Sequence, residues 1–428
     1  MVKQAPPPFP SPYFDVDMET MPPEQRSTWH GQQLQFVVRH AFSMAPAVHA
    51  IFEEAGLTPL DVKTVADLDK VPIIRKDRLI DWQRASPPFG GFLGVPVSSL
   101  KRIYQSPGPL YDPEGDRLDY WRWAQALHAA DFSSGDIVQN TASYHLTPLG
   151  FMFDEALRVI GCTVIPAGPG NHSIQLEMMR ELGVTGYTGV PSYLMNLIEH
   201  AEKQGLDWRR DFRLAKAFVI AEPFPPSLRR AFTERGITAR DGYGTAETGN
   251  LGFECAEGHG WHIPYDVIVQ VVDLNTGRAL PPGEEGEVVV TLLETTYPLI
   301  RFGTGDLSAL HSAPCACGRT TQRLVGWLGR VGQAVKVRGL FVHPRQVAQV
   351  LARFPTIARH QTVIDRPGTM DRLTITLEPV SGASLAEQLN AIDQALRDVI
   401  KLQARFDVVE PGTLSADAPP LEDRRTWE

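Results

Sequence analysis

The sequence predicts an α/β protein in two parts: a large N-terminal domain with a mostly parallel sheet and an antiparallel subdomain, then a small α+β C-terminal domain. Three observations carry this. A chain of 428 residues exceeds one ordinary core of roughly 100–200 residues. Strand-like and helix-like segments alternate from 119 to 265, the pattern of right-handed βαβ crossovers. After 266 the texture changes to strand–turn–strand, and past Gly329 a final stretch mixes both patterns.

In chain order, the first hundred residues read as helical and peripheral. WHGQQLQFVVRHAFSMAPAVHAIFEEAG spaces apolar residues at helical intervals and closes on Gly56. DYWRWAQALHAADF, GFMFDEALRVIG, IQLEMMRELG and SYLMNLIEHAEKQG then read as helices. Between and after them DIVQNTA, CTVIPAG, VTGYTGVP and LAKAFVIAEP read as strands. Ligands of such sheets sit at the carboxyl ends of strands, which singles out SYHLTP, PAGPGN, GVPS, AEPFP and DGYGTAETGN. VIVQVVDLNTGRALPPGEEGEVVVTLL gives strand, turn, strand with NTG and PPGEEG as turns, an antiparallel subdomain over about 266–325. KVRGLFVHPRQVAQVLARF, TVIDRPGTMDRLTITLEP and SLAEQLNAIDQALRDVIKL read as strand–helix–hairpin–helix. The expected domains are 1–328 and 329–428, hinged near Gly329–Gln333.

Composition excludes several classes. With 43% apolar and 21% charged residues the chain is of ordinary globular type, and a formal charge of −9 supplies no basic stripe for nucleic acid. No apolar run approaches the roughly 18 residues of a membrane helix. The proline-rich start MVKQAPPPFPSPYF lacks an apolar signal core, so a cytoplasmic location is expected. Of four cysteines, Cys162 in VIGCTVIP reads as a small buried hydrophobe. Cys255, Cys315 and Cys317 with one imidazole, His259 or His262, have the composition of a closed Cys₃His structural zinc site. In a cytosolic chain that pattern favours metal over disulfide; reduced, unliganded thiols are the plainer alternative.

Three motifs carry chemistry. In DGYGTAETG, Thr245 and Glu247 set a hydroxyl and a carboxylate beside a flexible backbone, which suits a phosphate and its Mg²⁺. In PLIRFGTGDLSAL, Asp306 follows a Gly-Thr-Gly turn and can accept hydrogen bonds from a ribose diol; its plain reading is a strand terminator. In GRVGQAVKVRGLFVHP a Gly329–Arg330 pivot precedes a strand with Lys336 and Arg338.

In this order and spacing the three resemble the adenylate-forming superfamily, and within it the phenylacetate–CoA ligase family. TVADLDKVPIIRKDRL, FVIAEP, GWHIPYDVIVQVVD, LPPGEEGEVVVTLL and CACGRTTQRLVGWLGRVG extend the resemblance nearly end to end. It implies an AMP-forming acyl-CoA ligase. A carboxylic acid, aromatic or cyclic, attacks ATP to give acyl-AMP; the small mobile domain rotates; CoA thiolate then displaces AMP. It further implies that Ala221, Glu222 and Pro223 flank the adenine, and that Tyr243, Gly244 and Thr245 line the AMP. Asp241 and Arg323 join that cofactor set. Glu247 would hold Mg²⁺, Asp306 the ribose, and Arg330 would be the pivot, with Lys336 catalytic. Tyr144 and Gly168 to Gly170 would lie near the acyl group. The GWHI setting resembles a recurrent family segment and favours His262 as the fourth zinc ligand. A homodimer is the default assembly.

The sequence also departs from the resemblance. At RIYQSPGPLYD the family has a Ser/Thr/Gly-rich loop ending in Lys that grips phosphates. Here Ser106 and Gly108 remain, while Pro107, Pro109 and Pro113 remove backbone donors and no Lys follows. The last lysine, Lys401, precedes the tail PGTLSADAPPLEDRRTWE, leaving Arg424 or Arg425 to substitute for a C-terminal catalytic Lys. Gln333 stands in place of the usual hinge Asp. These departures keep an alternative open: an ATP-independent acyl-AMP or acyl-CoA transferase or thioester hydrolase, or a non-catalytic binder of AMP or acyl-CoA.

Overall fold

The computed structural model describes residues 11–106, 110–331, 335–337, 340–367, 371–415 and 417–425. Helices α1 (Val16–Glu19), α2 (Pro23–Met44) and α3 (Pro46–Glu54) open the chain. Pro46 divides α2 from α3, because the residue before a proline is driven out of the helical region and Ala45 sits at φ −109°, ψ 101°. Strand β1 (Ile74–Arg75) runs directly into α4 (Lys76–Ala85). Strands β2 (Arg102–Gln105) and β3 (Tyr111–Glu114) form an antiparallel hairpin.

The alternation follows: α5 (Ala124–Ala129), β4 (Ile137–Asn140), α6 (Leu149–Ile160), β5 (Thr163–Pro166), α7 (His172–Glu181) and β6 (Gly186–Gly189). Next come α8 (Pro191–Lys203), α9 (Trp208–Asp211), β7 (Lys216–Val219), α10 (Pro226–Glu234) and β8 (Thr238–Thr245). Then β9 (Gly249–Phe253), β10 (Trp261–His262), β11 (Val267–Val272), β12 (Glu285–Leu292), β13 (Phe302–Ala309) and β14 (Arg323–Leu324) follow.

The largest sheet runs β14-β10-β9-β8-β7-β6-β4-β5. Its β5-β4-β6-β7-β8 portion is parallel, as the alternation predicts, and its other strands are antiparallel. A second sheet has the order β1-β13-β12-β11, with β11 and β12 antiparallel.

The expectation that the first hundred residues are peripheral is corrected. Leu34, Val38, Phe52 and Leu79 share one core with Val271, Val290 and Phe302. The cause lies in β11 and β12: VIVQVV is buried at every position, so both faces of that sheet require cover. A second correction concerns DGYGTAETG. Instead of a turn at a strand end, its first half continues β8 to Thr245, and the chain reverses over 246–248 into β9.

At the chain start, the Tyr13 hydroxyl donates to the Cys317 carbonyl at 2.9 Å. Buried Glu19 pairs with buried Arg319. Among the described residues no helix is long and apolar enough to cross a membrane.

Residues up to 304 with 309–326 group as one compact unit, and 305–308 with 327–428 as a second. In the second unit β15 (Gly329–Arg330) pairs with Asp306 and Leu307, and β16 (Val335–Val337) pairs with β17 (Leu340–Val342). Helix α11 (Pro344–Leu351), strands β18 (Ile357–Asp365) and β19 (Arg372–Pro379), helix α12 (Leu389–Ile400), and strands β20 (Arg405–Val408) and β21 (Leu421–Asp423) complete it. The hairpin and both helices match the sequence reading. The split of its first strand into two, and the two tail strands that flank β18 and β19 in parallel, do not appear in that reading.

Candidate functional site

The carboxyl ends of the parallel strands carry most of the residues singled out by the sequence. After β7, Ala221 adopts φ +70°, a left-handed conformation that costs a non-glycine residue about 1–2 kcal/mol and is found at functional turns. Glu222 Oε2 accepts from the Ser192 amide in the first turn of α8, at 3.2 Å.

On β8, Tyr243 lies flat on Trp261, with ring centroids 5.4 Å apart and planes 10° apart. Its hydroxyl donates to Thr304 Oγ1 at 3.3 Å, and that hydroxyl donates to Val288 O at 3.0 Å. The ring is therefore fixed by its face and by its tip. Trp261 in turn donates from Nε1 to Asp241 Oδ1 at 3.0 Å. Burial first, and then the charge of Glu254, push the Asp241 carboxyl up to about 7, against the pull of Trp261 and Arg229. Asp241 thus works behind the aromatic pair.

Beyond Tyr243 the hairpin turn is tight. A Cβ on Gly244 would stand 2.3 Å from Gly249 O, and one on Gly249, at φ +71°, 2.7 Å from Trp121 O. Thr245 and Thr248 share a hydroxyl–hydroxyl hydrogen bond of 2.9 Å. Fully buried Arg122 donates to Thr248 O, and Asn250 Nδ2 donates back to Arg122 O at 2.9 Å. Segment 121–122 is the backing of the 245–249 turn.

That turn presents Glu247, 2% exposed. Facing it is a residue the sequence reading did not single out: Lys76, the first residue of α4, with Nζ 2.6 Å from Glu247 Oε1. This is an ion pair without hydrogen-bonding geometry, since neither Glu247 oxygen accepts a hydrogen bond among the described residues. A second missed carboxylate, Asp112 on β3, is 1% exposed, and neither of its oxygens has a partner either. Burial and then Glu247 push the Asp112 carboxyl well up, while Lys76 and the nearby Ser106 hydroxyl pull it down. The Ser106 hydroxyl itself donates to Leu110 O at 3.4 Å. Helix α4 is locked to this hairpin: Gln83 accepts from Tyr111 N at 2.8 Å and donates to Tyr111 O at 2.9 Å. Pro107, Gly108 and Pro109 lie outside the described residues.

Asn140, the last residue of β4, joins the expected acyl-pocket residues. Its Nδ2 donates to the Tyr144 hydroxyl at 2.8 Å, and its carbonyl accepts from Gly168 N at 3.1 Å. Tyr144 donates to Asp154 Oδ2 at 3.0 Å and packs edge-on to Phe151; burial and then the Asp154 charge raise its phenol. Gly168 and Gly170, at φ +62° and +93°, form a turn whose carbonyls both accept from Gln175.

The four predicted zinc ligands converge. One ligand atom from each of Cys255, His262, Cys315 and Cys317 lies within 4.8 Å of the others. Cys255 Sγ is 3.7 Å from Cys315 Sγ, and Cys317 Sγ is 3.3 Å from His262 Nε2. The geometry selects His262 over exposed His259. Its Nδ1 meets Thr321 Oγ1 at 3.3 Å, the kind of outer contact that orients a ligating imidazole. Arg323 is brought to this cluster, where it donates to the carbonyls of His259, Ala313 and Pro314.

In the second unit, Asp306 is 5% exposed, accepts from Trp327 Nε1 at 3.0 Å and pairs with Arg330 Nε at 3.2 Å. Lys336 lies on β16 opposite Phe341; Gln333 and Arg338 fall outside the described residues. Arg424 pairs with Glu422 on the surface. Arg425, 5% exposed, is held by Asp371 and Asp423.

Comparison with known proteins agrees with this layout. The AMP-binding enzyme family matches residues 123–292, and the AMP-binding enzyme C-terminal domain matches 339–419. The phenylacetate-coenzyme A ligase of Thermus thermophilus is 30% identical over 379 residues, 85% of this chain and 84% of the relative. That of Aromatoleum evansii is 30% identical over 422 residues, 93% and 94% of the two chains. Among solved structures, an open conformation of 2-hydroxyisobutyryl-CoA ligase in complex with 2-HIB-AMP and CoA superposes with a TM-score of 0.89 at 25% identity. The match covers 98% of this chain and 96% of that one. With such identity carried over most of both chains, and family matches in its large and small parts alike, this chain belongs to the phenylacetate–CoA ligase family of AMP-binding enzymes.

Proposed function

We propose that the chain is an acid–thiol ligase that converts an aromatic or cyclic carboxylic acid, ATP and CoA to acyl-CoA, AMP and pyrophosphate. In the first step an acid oxygen bonds to the α-phosphorus and the bond to pyrophosphate breaks. In the second the CoA sulfur bonds to the acyl carbon, the bond to AMP breaks, and the thiol proton passes to solvent. The observation that carries this reading is Tyr243 held flat on Trp261, with buried Glu247 in the turn of the same hairpin, in a chain that covers 96% of a ligase holding acyl-AMP and CoA.

Such an enzyme acts by positioning and charge stabilisation. The Tyr243 face receives the adenine, with Ala221, Glu222 and Pro223 at its edge. Gly244 and Thr245 follow the sugar and α-phosphate. Asp306 accepts from the ribose, Arg330 is the pivot of the small 329–428 domain, and Lys336 serves catalysis from that domain. Tyr144 and the Gly168–Gly170 turn border the acid; the Tyr144–Phe151 pair suits a ring, as do the phenylacetate ligases among the relatives. Glu247 has the hard oxygen donors Mg²⁺ requires; when bound, the ion neutralises phosphate charge.

The Cys255, His262, Cys315 and Cys317 set fits a structural Zn²⁺, with four soft or borderline donors and no open position. Four reduced thiols suit a cytoplasmic setting, and a homodimer is the default for soluble oligomers.

The test is incubation with ATP, Mg²⁺, CoA and a panel of phenylacetate, benzoate, cyclohexanecarboxylate and 2-hydroxyisobutyrate. Thioester and AMP in equal amounts are expected, highest with a ring-bearing acid. No thioester from any acid, together with turnover of an acyl-CoA, would overturn the reading in favour of an ATP-independent transferase or hydrolase.

A further inference from the structure

The hairpin that should grip phosphates turns a carboxylate inward instead of an ammonium. We propose that Asp112 and Glu247 together form one divalent-cation site, so that this chain grips the triphosphate through a metal bridged by both carboxylates. This rests on the ligase reading and names how its ATP site is built.

Four observations converge on it. Asp112 and Glu247 are 1% and 2% exposed, and all four of their carboxylate oxygens lack a hydrogen bond among the described residues. A buried acceptor left without a partner costs about 1–3 kcal/mol, so a pair of such groups is retained only where something else satisfies them. Protonating Asp112 does not remove the problem, because the new O–H would need an acceptor and the remaining oxygen a donor.

Charge is the second point. With both carboxylates ionised, they and the Lys76 ammonium sum to −1, which repels a polyphosphate; a divalent cation turns the same cluster to +1. Lys76 at 2.6 Å from Glu247 sits where a cation is attracted, without supplying hydrogen-bonding geometry to either oxygen.

Third, both carboxylates are held from behind. Gln83 clamps the residue before Asp112 on both its amide and its carbonyl. Arg122 fixes Thr248 beside Glu247. The two are near enough that the charge of Glu247 is the leading electrostatic influence on Asp112 after its own burial. Fourth, the donor set is oxygen only. That suits Mg²⁺, which takes one or two carboxylates and fills its octahedron with water and phosphate oxygens.

The sequence departure at residues 107–113 then has a chemical meaning. A hairpin lysine gives a fixed cation; a hairpin aspartate gives a site whose cation arrives with the nucleotide or just before it.

The experiment uses the full chain and Mn²⁺ alone as an electron paramagnetic resonance probe, counting free ion during titration without nucleotide. One bound Mn²⁺ per chain is expected. Asp112→Asn and Glu247→Gln should each weaken it tenfold or more, and the double variant should be little worse than the weaker single. Asp112→Glu should recover binding to within about threefold of the natural chain, which excludes a folding defect as the cause. Lys76→Met should tighten Mn²⁺ binding. In steady state, Asp112→Asn should raise the Mg²⁺ concentration for half-maximal rate tenfold with the KM for acid unmoved. Mn²⁺ binding by Asp112→Asn equal to that of the natural chain would overturn the proposal, as would failure of the natural chain to bind Mn²⁺ at all. Thioester formation by the natural chain is scored separately, so an inactive chain that binds Mn²⁺ through both carboxylates refutes only the ligase reading.

Discussion

Replacing Trp261 by phenylalanine keeps an aromatic face beneath Tyr243 but deletes the indole N–H that donates to Asp241 at 3.0 Å. Hydrogen bonds to charged or strongly polar buried groups contribute about 1.5–3 kcal/mol, and the orphaned acceptor adds its own desolvation cost. A stability loss of about 2 kcal/mol is expected from urea unfolding. The catalytic effect should be confined to the nucleotide. Tyr243 keeps its tip on Thr304 but loses the fixed plane, and a loss of about 1.4 kcal/mol in that platform raises the KM for ATP tenfold. The kcat at saturating ATP and the KM for acid should stay within twofold, the signature of binding lost equally from ground and transition states. Trp261→Ala also removes the stacked ring, worth a further 0.5–1.5 kcal/mol or so. The pH dependence gives an independent readout. Asp241 is raised from 3.8 to about 7 in the folded chain, so folding retains a proton that the unfolded chain loses. That contribution is complete below about pH 4 and disappears as pH rises through 7. Trp261 holds Asp241 down, so Trp261→Phe should extend the decline above pH 7, and Asp241→Asn should abolish it. An unchanged KM for ATP with a reduced kcat in Trp261→Phe would refute this assignment of the stack.

Further outcomes follow from other contacts. Elemental analysis should find one zinc per chain, falling to near zero in Cys317→Ser; with free zinc 1,000-fold above its Kd, the stability lost is about 4 kcal/mol. Gly249→Ala sets a Cβ 2.7 Å from Trp121 O at φ +71°. It should therefore lower Tm and raise the KM for ATP, with at least about 1–2 kcal/mol from the left-handed backbone alone. Arg425→Met removes the pairs to exposed Asp423 and to Asp371, which keeps Arg366, and should cost about 1 kcal/mol in denaturant unfolding. Arg424→Ala removes only a surface pair and should leave both stability and thioester yield unchanged, whereas a collapse of yield would identify Arg424 as the substitute for the missing lysine.

The parallel sheet was legible because each βα unit encodes its own period. GFMFDEALRVIG shows a helical stripe and TVIP a strand, whatever surrounds them. The convergence of Cys255, Cys315 and Cys317 with a histidine was legible because clustered thiols announce themselves by composition. What the sequence hid depends on partners far along the chain. Lys76 meets Glu247 across 171 positions, and nothing in KDRLIDW marks its lysine as different from another helix-start cation. Asp112 reads as a turn residue after prolines; only β2 and α4 close around it and bury it. Arg323 lies inside a quoted segment, yet its donors go to carbonyls that no local pattern identifies. Trp261 stands in the quoted GWHI, where its neighbour drew attention as a metal ligand while its own role emerges only from the Tyr243 ring beside it.

The pairing of Glu19 with Arg319 spans 300 positions, and the largest core likewise runs from Leu34 to Leu324. At a synthesis rate of about 5–20 residues per second, the start of the chain waits roughly 15–60 s for its partners to leave the ribosome. Until β11 and β12 emerge, the apolar stripe of Leu34, Val38 and Ala41 lacks the strands that share its core. Assembly of the first unit is thus timed by translation. A ribosome stalled anywhere before codon 319 leaves a sticky, proteolysis-sensitive nascent chain, whereas the last hundred residues can collapse as soon as they emerge.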